Sequence, residues 1–225
     1  VQSAARAQPT PSASSMEKTV ILYVYDALCG WCYGFSPVMK QFYERHRETY
    51  DFQTVSGGMV RGDRIGPIGE VAPYIKDAYK RVEEYSGVHF GEPFLKGILE
   101  EGSAIFTSEP AAVAMAVFKM HFPDRTVEFA HALQQAVYRD GIRPAKYESY
   151  GPYAAQFGLD ADAFVAQMRQ PDMLEAARQD YRLANQLGVN GFPTVILLRN
   201  DTLFTLARGF TQLETLEAAL QKAAK

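Results

Sequence analysis

Apolar residues fall along the chain in three kinds of run. "TVILYVY", Thr19 to Tyr25, is a continuous stretch of β-branched and aromatic residues and predicts a buried strand. In "YGFSPVMKQFYERHRE" the apolar residues Phe35, Val38, Met39, Phe42 and Tyr43 recur at helical spacing. "DFQTVSG", Asp51 to Gly57, predicts a second strand. Strand, helix and strand in this order form a βαβ unit, whose strands are parallel and whose crossover is right-handed.

From about Met59 to Gln186 the alternation of a strand is missing and helical periodicity takes over. "VAPYIKDAYKRVEEYSG" reads as a helix stopped by Gly87. "SEPAAVAMAVFKMHFP" has Ser108 as the expected N-cap and Pro110 in its first turn, with Met115, Phe118 and Phe122 as a core stripe. "DRTVEFAHALQQAVYRDG", "DADAFVAQMRQ" and "PDMLEAARQDYRLANQLG" continue the pattern as a compact bundle. The strand signal returns at "PTVILLRN". A turn at Asn200-Asp201 leads to an antiparallel partner, "TLFTLARGF". The chain closes on an amphipathic helix with Thr211 as candidate cap and Leu213, Leu216 and Leu220 on one face. The two ends make one small α/β core, and residues 59–186 are expected to be an inserted helical domain.

Composition narrows the function. The 225 residues are 47% hydrophobic and 22% charged, as in an ordinary globular protein. A net charge of -3 gives no electrostatic case for nucleic acid or an anionic membrane. No stretch approaches the roughly 18 apolar residues of a membrane span. Residues 1–15, small, polar and proline-containing, read as a disordered leader, a linker or a remnant of expression, and Met16 as a start. Lacking an apolar signal core, the segment favours a cytoplasmic protein, or a periplasmic one whose signal has been removed.

The chain has two cysteines, Cys29 and Cys32, and its one tryptophan, Trp31, lies between them. A disulfide across so short a loop constrains the unfolded chain little, so redox chemistry explains the pair better than stability. Cys29 sits where strand gives way to helix, and unpaired N–H groups at a helix start favour a thiolate. Cys32 lies one turn on, placed to resolve a mixed disulfide. The four histidines are scattered without ligand spacing, so no metal is expected. Asp26, three residues before Cys29, is either a loop cap or a proton acceptor for Cys32. Trp31 is expected as an exposed aromatic lip, or packed on the insert. The glycine-rich "SGGMVRGDRIGPIG" lacks phosphate-loop spacing and reads as a crossover into the insert.

A strand, Cys-x-x-Cys at the next helix start, Pro37 within that helix and a late Phe-Pro-Thr before a hairpin and terminal helix together resemble the thioredoxin fold. The helical insertion resembles its DsbA-like variant. "YDALCGWCYGFSP", "GGMVRGDRIGPIGEVAPYI" and "LGVNGFPTVILL" look like the FrnE-like branch of predicted protein-disulfide isomerases. The resemblance implies an α/β thioredoxin-fold domain from residues 17–58 and 187–225, with 59–186 inserted. It implies Cys29 as nucleophile, Cys32 as resolving thiol and Pro193 as a cis-proline beside them. Gly30, Trp31, Phe192 and Thr194 are then the residues meeting substrate. It further implies a thiol–disulfide oxidoreductase acting on protein thiols and disulfides. No cofactor is implied beyond the cysteine pair, with glutathione or a thioredoxin-type reductant as partner. Gly30-Trp31 is neither the Pro-His of strongly oxidising relatives nor the Gly-Pro of thioredoxins, so the direction of electron flow stays open. Two other readings compete: a glutathione-dependent isomerase or transferase of the kappa-class or 2-hydroxychromene-2-carboxylate isomerase type, and a non-catalytic peptide-binding holdase.

Overall fold

The computed structural model describes residues 19–225, so the leader expected at 1–15 and the start at Met16 lie outside the described residues. Strand β1 (Val20–Tyr25) is followed by helix α1 (Gly30–His46) and strand β2 (Asp51–Ser56). β1 and β2 pair in parallel, Val20 opposite Asp51 through Tyr25 opposite Ser56. A short strand β3 (Gly66–Pro67) leads to α2 (Ala72–Ser86) and to α3 (Glu92–Phe94), which runs on as a π-helical turn, Leu95–Glu100. After β4 (Ile105–Phe106) come α4 (Glu109–His121), α5 (Thr126–Tyr138), α6 (Gly151–Ala155), α7 (Ala161–Met168) and α8 (Pro171–Gln186). Strands β5 (Thr194–Arg199) and β6 (Thr202–Arg208) and helix α9 (Leu213–Ala223) close the chain. The main sheet has the order β2-β1-β5-β6, with β5 antiparallel to both neighbours. This is the thioredoxin arrangement with a helical insertion between β2 and β5.

The β5–β6 hairpin turns where the sequence placed it. Asn200 and Asp201 have φ of 49° and 59°, the two left-handed residues that match the twist of the flanking strands. Three local expectations are corrected. The stretch 59–186 contains a two-stranded ribbon, β3 with β4, too short at two residues each to leave an alternation signal. Ser108 occupies the N-cap position of α4, but its side chain caps nothing, because its hydroxyl is taken by the site described below. Gln212, not Thr211, precedes α9, and the Thr211 hydroxyl donates to the Gly209 carbonyl instead.

One core runs through sheet and insert. Ile21, Tyr23, Phe35 and Phe42 share a buried cluster with Val113 and Phe118 of α4, Phe129 and Leu133 of α5 and Leu216 of α9. Phe129 stacks on Phe118 with ring centroids 4.1 Å apart and meets Phe157 and Phe164 edge-on. Such rings add packing energy beyond their buried area. Phe129→Ala is therefore expected to cost about 3–5 kcal/mol, read as a lower urea midpoint at unchanged slope. A second cluster joins Leu28 and Tyr33, beside the cysteines, to Val82, Phe90, Phe94 and Tyr138. The segment bearing the cysteines is thus held between two apolar masses. α1 passes close to α2 at Gly34, where a Cβ would lie 2.8 Å from Val82 Cγ1.

Candidate active site

Cys29 is itself the N-cap residue of α1. Its backbone is extended (φ -83°, ψ 116°) and its Sγ accepts the N–H of Cys32 at 3.3 Å. A sulfur in this role takes the place of the usual Ser or Asp cap, and receives a backbone donor at the positive end of the helix. Cys29 is 6% exposed and Cys32 wholly buried, so an incoming group meets Cys29 first. Burial pushes the Cys32 thiol well above its usual range, and the neighbouring Cys29 sulfur adds to the shift by hydrogen bond and charge.

Asp26 is 3% exposed and close enough for its charge to act on Cys32. Its Oδ1 accepts from Leu28 N (2.9 Å) and Ser108 Oγ (3.0 Å), and its Oδ2 from Met59 N (2.8 Å). Burial nevertheless raises its carboxyl above the ordinary carboxylate range, against the pull of these donors. Two helical residues of the insert hold the backbone of the same loop. Gln134 Nε2 donates to the Asp26 carbonyl at 2.7 Å, and the Tyr138 hydroxyl donates to the Leu28 carbonyl. Burial keeps that tyrosine protonated, as a donor must be. These roles of Ser108, Gln134 and Tyr138 are not legible in the sequence. The one local trace is on α5, where Ala130, Gln134 and Tyr138 recur every four residues on a buried face: a glutamine in a buried row asks for a partner.

The late segment closes the other side. The Phe192–Pro193 peptide bond is cis. The Cys29 thiol donates to the Phe192 carbonyl at 3.6 Å. The Phe192 ring lies on Gly57, where a Cβ would come within 2.1 Å of it, so only glycine admits the ring there. Thr194 is buried and its hydroxyl donates to the Gly191 carbonyl (2.8 Å). A hollow of about 260 Å³ opens beside Gly191, Phe192, Thr194 and Arg208. Gly30 is half-buried, in ordinary contact range of Phe90 and Val82. Trp31 is half-buried too, its ring 6.0 Å from Tyr85 of α2 and 6.2 Å from Phe210. It bridges insert and core at the rim of the site. The structure therefore brings Asp26, Cys29, Cys32, Phe192 and Pro193 together, with Gly30, Trp31 and Thr194 around them. A larger hollow, about 780 Å³, follows the outer edge of β2 and shares none of these residues.

Among the described residues no cluster of three or more His, Cys, Asp or Glu side chains is placed to hold a metal. No helix among them is long and apolar enough to cross a membrane.

A dithiol at a helix start, faced by a Phe-Pro loop on a thioredoxin sheet, defines a thioredoxin-fold redox protein. Residues 20–221 match the DSBA-like thioredoxin domain, and the chain belongs to that family of thiol–disulfide oxidoreductases. The structure is similar to that of the cytosolic disulfide reductase DsbM from Pseudomonas aeruginosa, with 30% identity and a TM-score of 0.75 over 91% of this chain and 98% of that one. The same protein with GSH matches at 28% identity and a TM-score of 0.73, with the same coverage. A candidate protein disulfide isomerase from Nitrosomonas europaea shares the fold at TM-score 0.80 and 20% identity, over 92% of this chain and 98% of that one. Among curated proteins, the ClpXP adapter protein SpxH of Shouchella clausii is 20% identical over 189 residues, 83% of this chain. The chain spans 60% of that relative's length.

Proposed function

We propose that this protein reduces disulfides, with Cys29 as nucleophile and Cys32 as resolving thiol, on polypeptide clients and with glutathione as the regenerating thiol. The observation that carries the reading is the Cys29 sulfur at the α1 N-terminus, with Cys32 N–H at 3.3 Å and the Phe192 carbonyl at 3.6 Å. The likeness to a cytosolic disulfide reductase, one form of which was solved with GSH, supports the direction of flow, the partner and a thiol-reducing compartment.

The Cys29 thiolate attacks one sulfur of a client disulfide. A Cys29–client bond forms, and the other client sulfur leaves as a thiolate that takes a proton from solvent. Cys32 then gives its proton to the Asp26 carboxylate and attacks Cys29 Sγ, expelling the second client thiolate. Two electrons have passed to the client, which is now a dithiol, and the protein holds a Cys29–Cys32 disulfide. Two glutathione thiols reverse these steps on the protein and leave as glutathione disulfide. The Phe192 carbonyl and the edge beside it can pair with an extended client backbone. Thiolate attack by Cys29 alone also reshuffles disulfides, so isomerisation is open to the same site.

The test is turnover of a disulfide-bonded polypeptide in a glutathione-coupled assay, with thiol state followed by mass spectrometry. The wild type is expected to cycle between dithiol and disulfide. Undiminished turnover in the double variant Cys29→Ser/Cys32→Ser would sink the proposal. The glutathione-dependent isomerase reading is disfavoured by the second cysteine, buried against the first, which a single activated residue does not need.

A further inference from the structure

We infer that the cleft headed by Arg61 is a carboxylate-recognition subsite, which seats an acidic group a residue or two from the reacting sulfur of the substrate. The inference rests on the disulfide-exchange reading above and names a substrate chemistry for it.

The cleft has a volume of about 250 Å³ and is lined by Arg61, Thr107, Arg178, Tyr181, Arg182 and Asn185, with Glu109 among them. Its charge is not balanced. Arg178 pairs with Glu109 at 3.5 Å and Arg182 with Glu175, so both are neutralised. Arg61 has no carboxylate within ion-pair distance among the described residues. It is nonetheless held in place. Its Nε donates to the Gly58 carbonyl at 3.0 Å, and its guanidinium lies over the Tyr181 ring at 4.6 Å. A stacked, oriented guanidinium keeps its terminal N–H fork free for a planar acceptor such as a carboxylate.

Tyr181 is 2% exposed and fixed in the core, so the ring under Arg61 is a rigid floor that holds the guanidinium in one orientation.

The cleft adjoins the redox site through one continuous strap. Arg61 grips Gly58; Gly57, next along, carries the Phe192 ring; and the Phe192 carbonyl is 3.6 Å from Cys29 Sγ. Met59, on the same strap, donates to Asp26. From the other side, α8 runs from Arg178, Tyr181, Arg182 and Asn185 towards the loop that ends in Phe192 and Pro193. The carboxylate has two possible sources: an acidic residue beside the cysteine of a polypeptide, or a terminal carboxylate of glutathione.

The experiment compares substrates that differ only in that group. One pair is a disulfide-linked peptide with Glu or Gln next to its cysteine. The other is glutathione disulfide and its glycyl ethyl ester. KM and kcat are measured at low salt, where an exposed charge is least screened, for the wild type, Arg61→Gln and Arg61→Lys. The wild type is expected to prefer the charged member of at least one pair by about tenfold in KM, the worth of one hydrogen bond to a charged group. In Arg61→Gln that ratio should fall to about one, and Arg61→Lys should restore part of it. The pair that shows the effect identifies the source. Equal KM for charged and neutral substrates in the wild type, or a ratio that survives in Arg61→Gln, would overturn the inference. Wild-type protein that turns over none of the four substrates would instead overturn the disulfide-exchange reading.

Discussion

Cys32→Ser is expected to accumulate covalent complexes with its clients, and Cys29→Ser to form none. The two thiols are not equivalent. Cys29 caps the helix, and its sulfur is reached from outside; Cys32 is wholly buried, and its thiol holds its proton. Removing the second sulfur leaves the first attack intact and deletes the escape route, so the mixed disulfide persists until an external thiol cleaves it. Complexes caught from oxidised extracts should run as high-mass bands on non-reducing gels and vanish with dithiothreitol. Polypeptides in those bands would identify the clients. Complexes of equal yield in Cys29→Ser would reverse the assignment of the two thiols.

Asp26→Asn is expected to slow the resolving step by about 10²-fold, the usual weight of a single general base, and to leave the first attack close to wild type. Rapid mixing with a preformed Cys29 mixed disulfide isolates the step. Equal rates in variant and wild type would make Asp26 a structural cap. The same substitution carries a signature in stability. Burial holds the Asp26 carboxyl above its ordinary value of 3.8, so between that value and the raised one the native state binds more protons than the unfolded chain. Over this window wild-type stability falls as pH rises, and its contribution is full only below the unfolded value. An asparagine has no proton to lose, and the fall should flatten. Its amide also faces the Met59 N–H where a carboxylate oxygen was the acceptor, which costs about 1–3 kcal/mol at every pH. Denaturant titrations from pH 4 upward separate the two effects.

The redox pair is legible in the sequence because its signal is local. A helix start follows a strand end within four residues, and Cys-x-x-Cys at that junction puts both sulfurs on one face. The strands are legible for the same reason: residues 21–25 and 195–197 are buried on both faces and read as unbroken apolar runs. Ser108 shows the limit. As a serine before Glu109-Pro110 it reads as a helix cap, yet its hydroxyl spans 82 positions to reach Asp26. Nothing within a turn of Ser108 could reveal that bond. Gln134, 108 positions from Asp26, and Tyr138, 110 from Leu28, are of the same kind.

By itself, then, the chain determined a thioredoxin-like βαβ and ββα pair around a helical insertion, and a dithiol at the first helix start. These follow from periodicity and from the geometry of one strand–helix junction. Only the tertiary structure decided that the insert shares the core of the sheet, and that its helices supply the hydrogen bonds that hold the Asp26–Cys29 loop. It alone decided that Arg61 stands stacked on Tyr181 with no acid paired to it among the described residues. Those features depend on which side chains meet across 82 or more positions, the span from Asp26 to Ser108. Such meetings are set by how the helices pack, and apart from the buried row on α5 that packing is not written in the local order of residues.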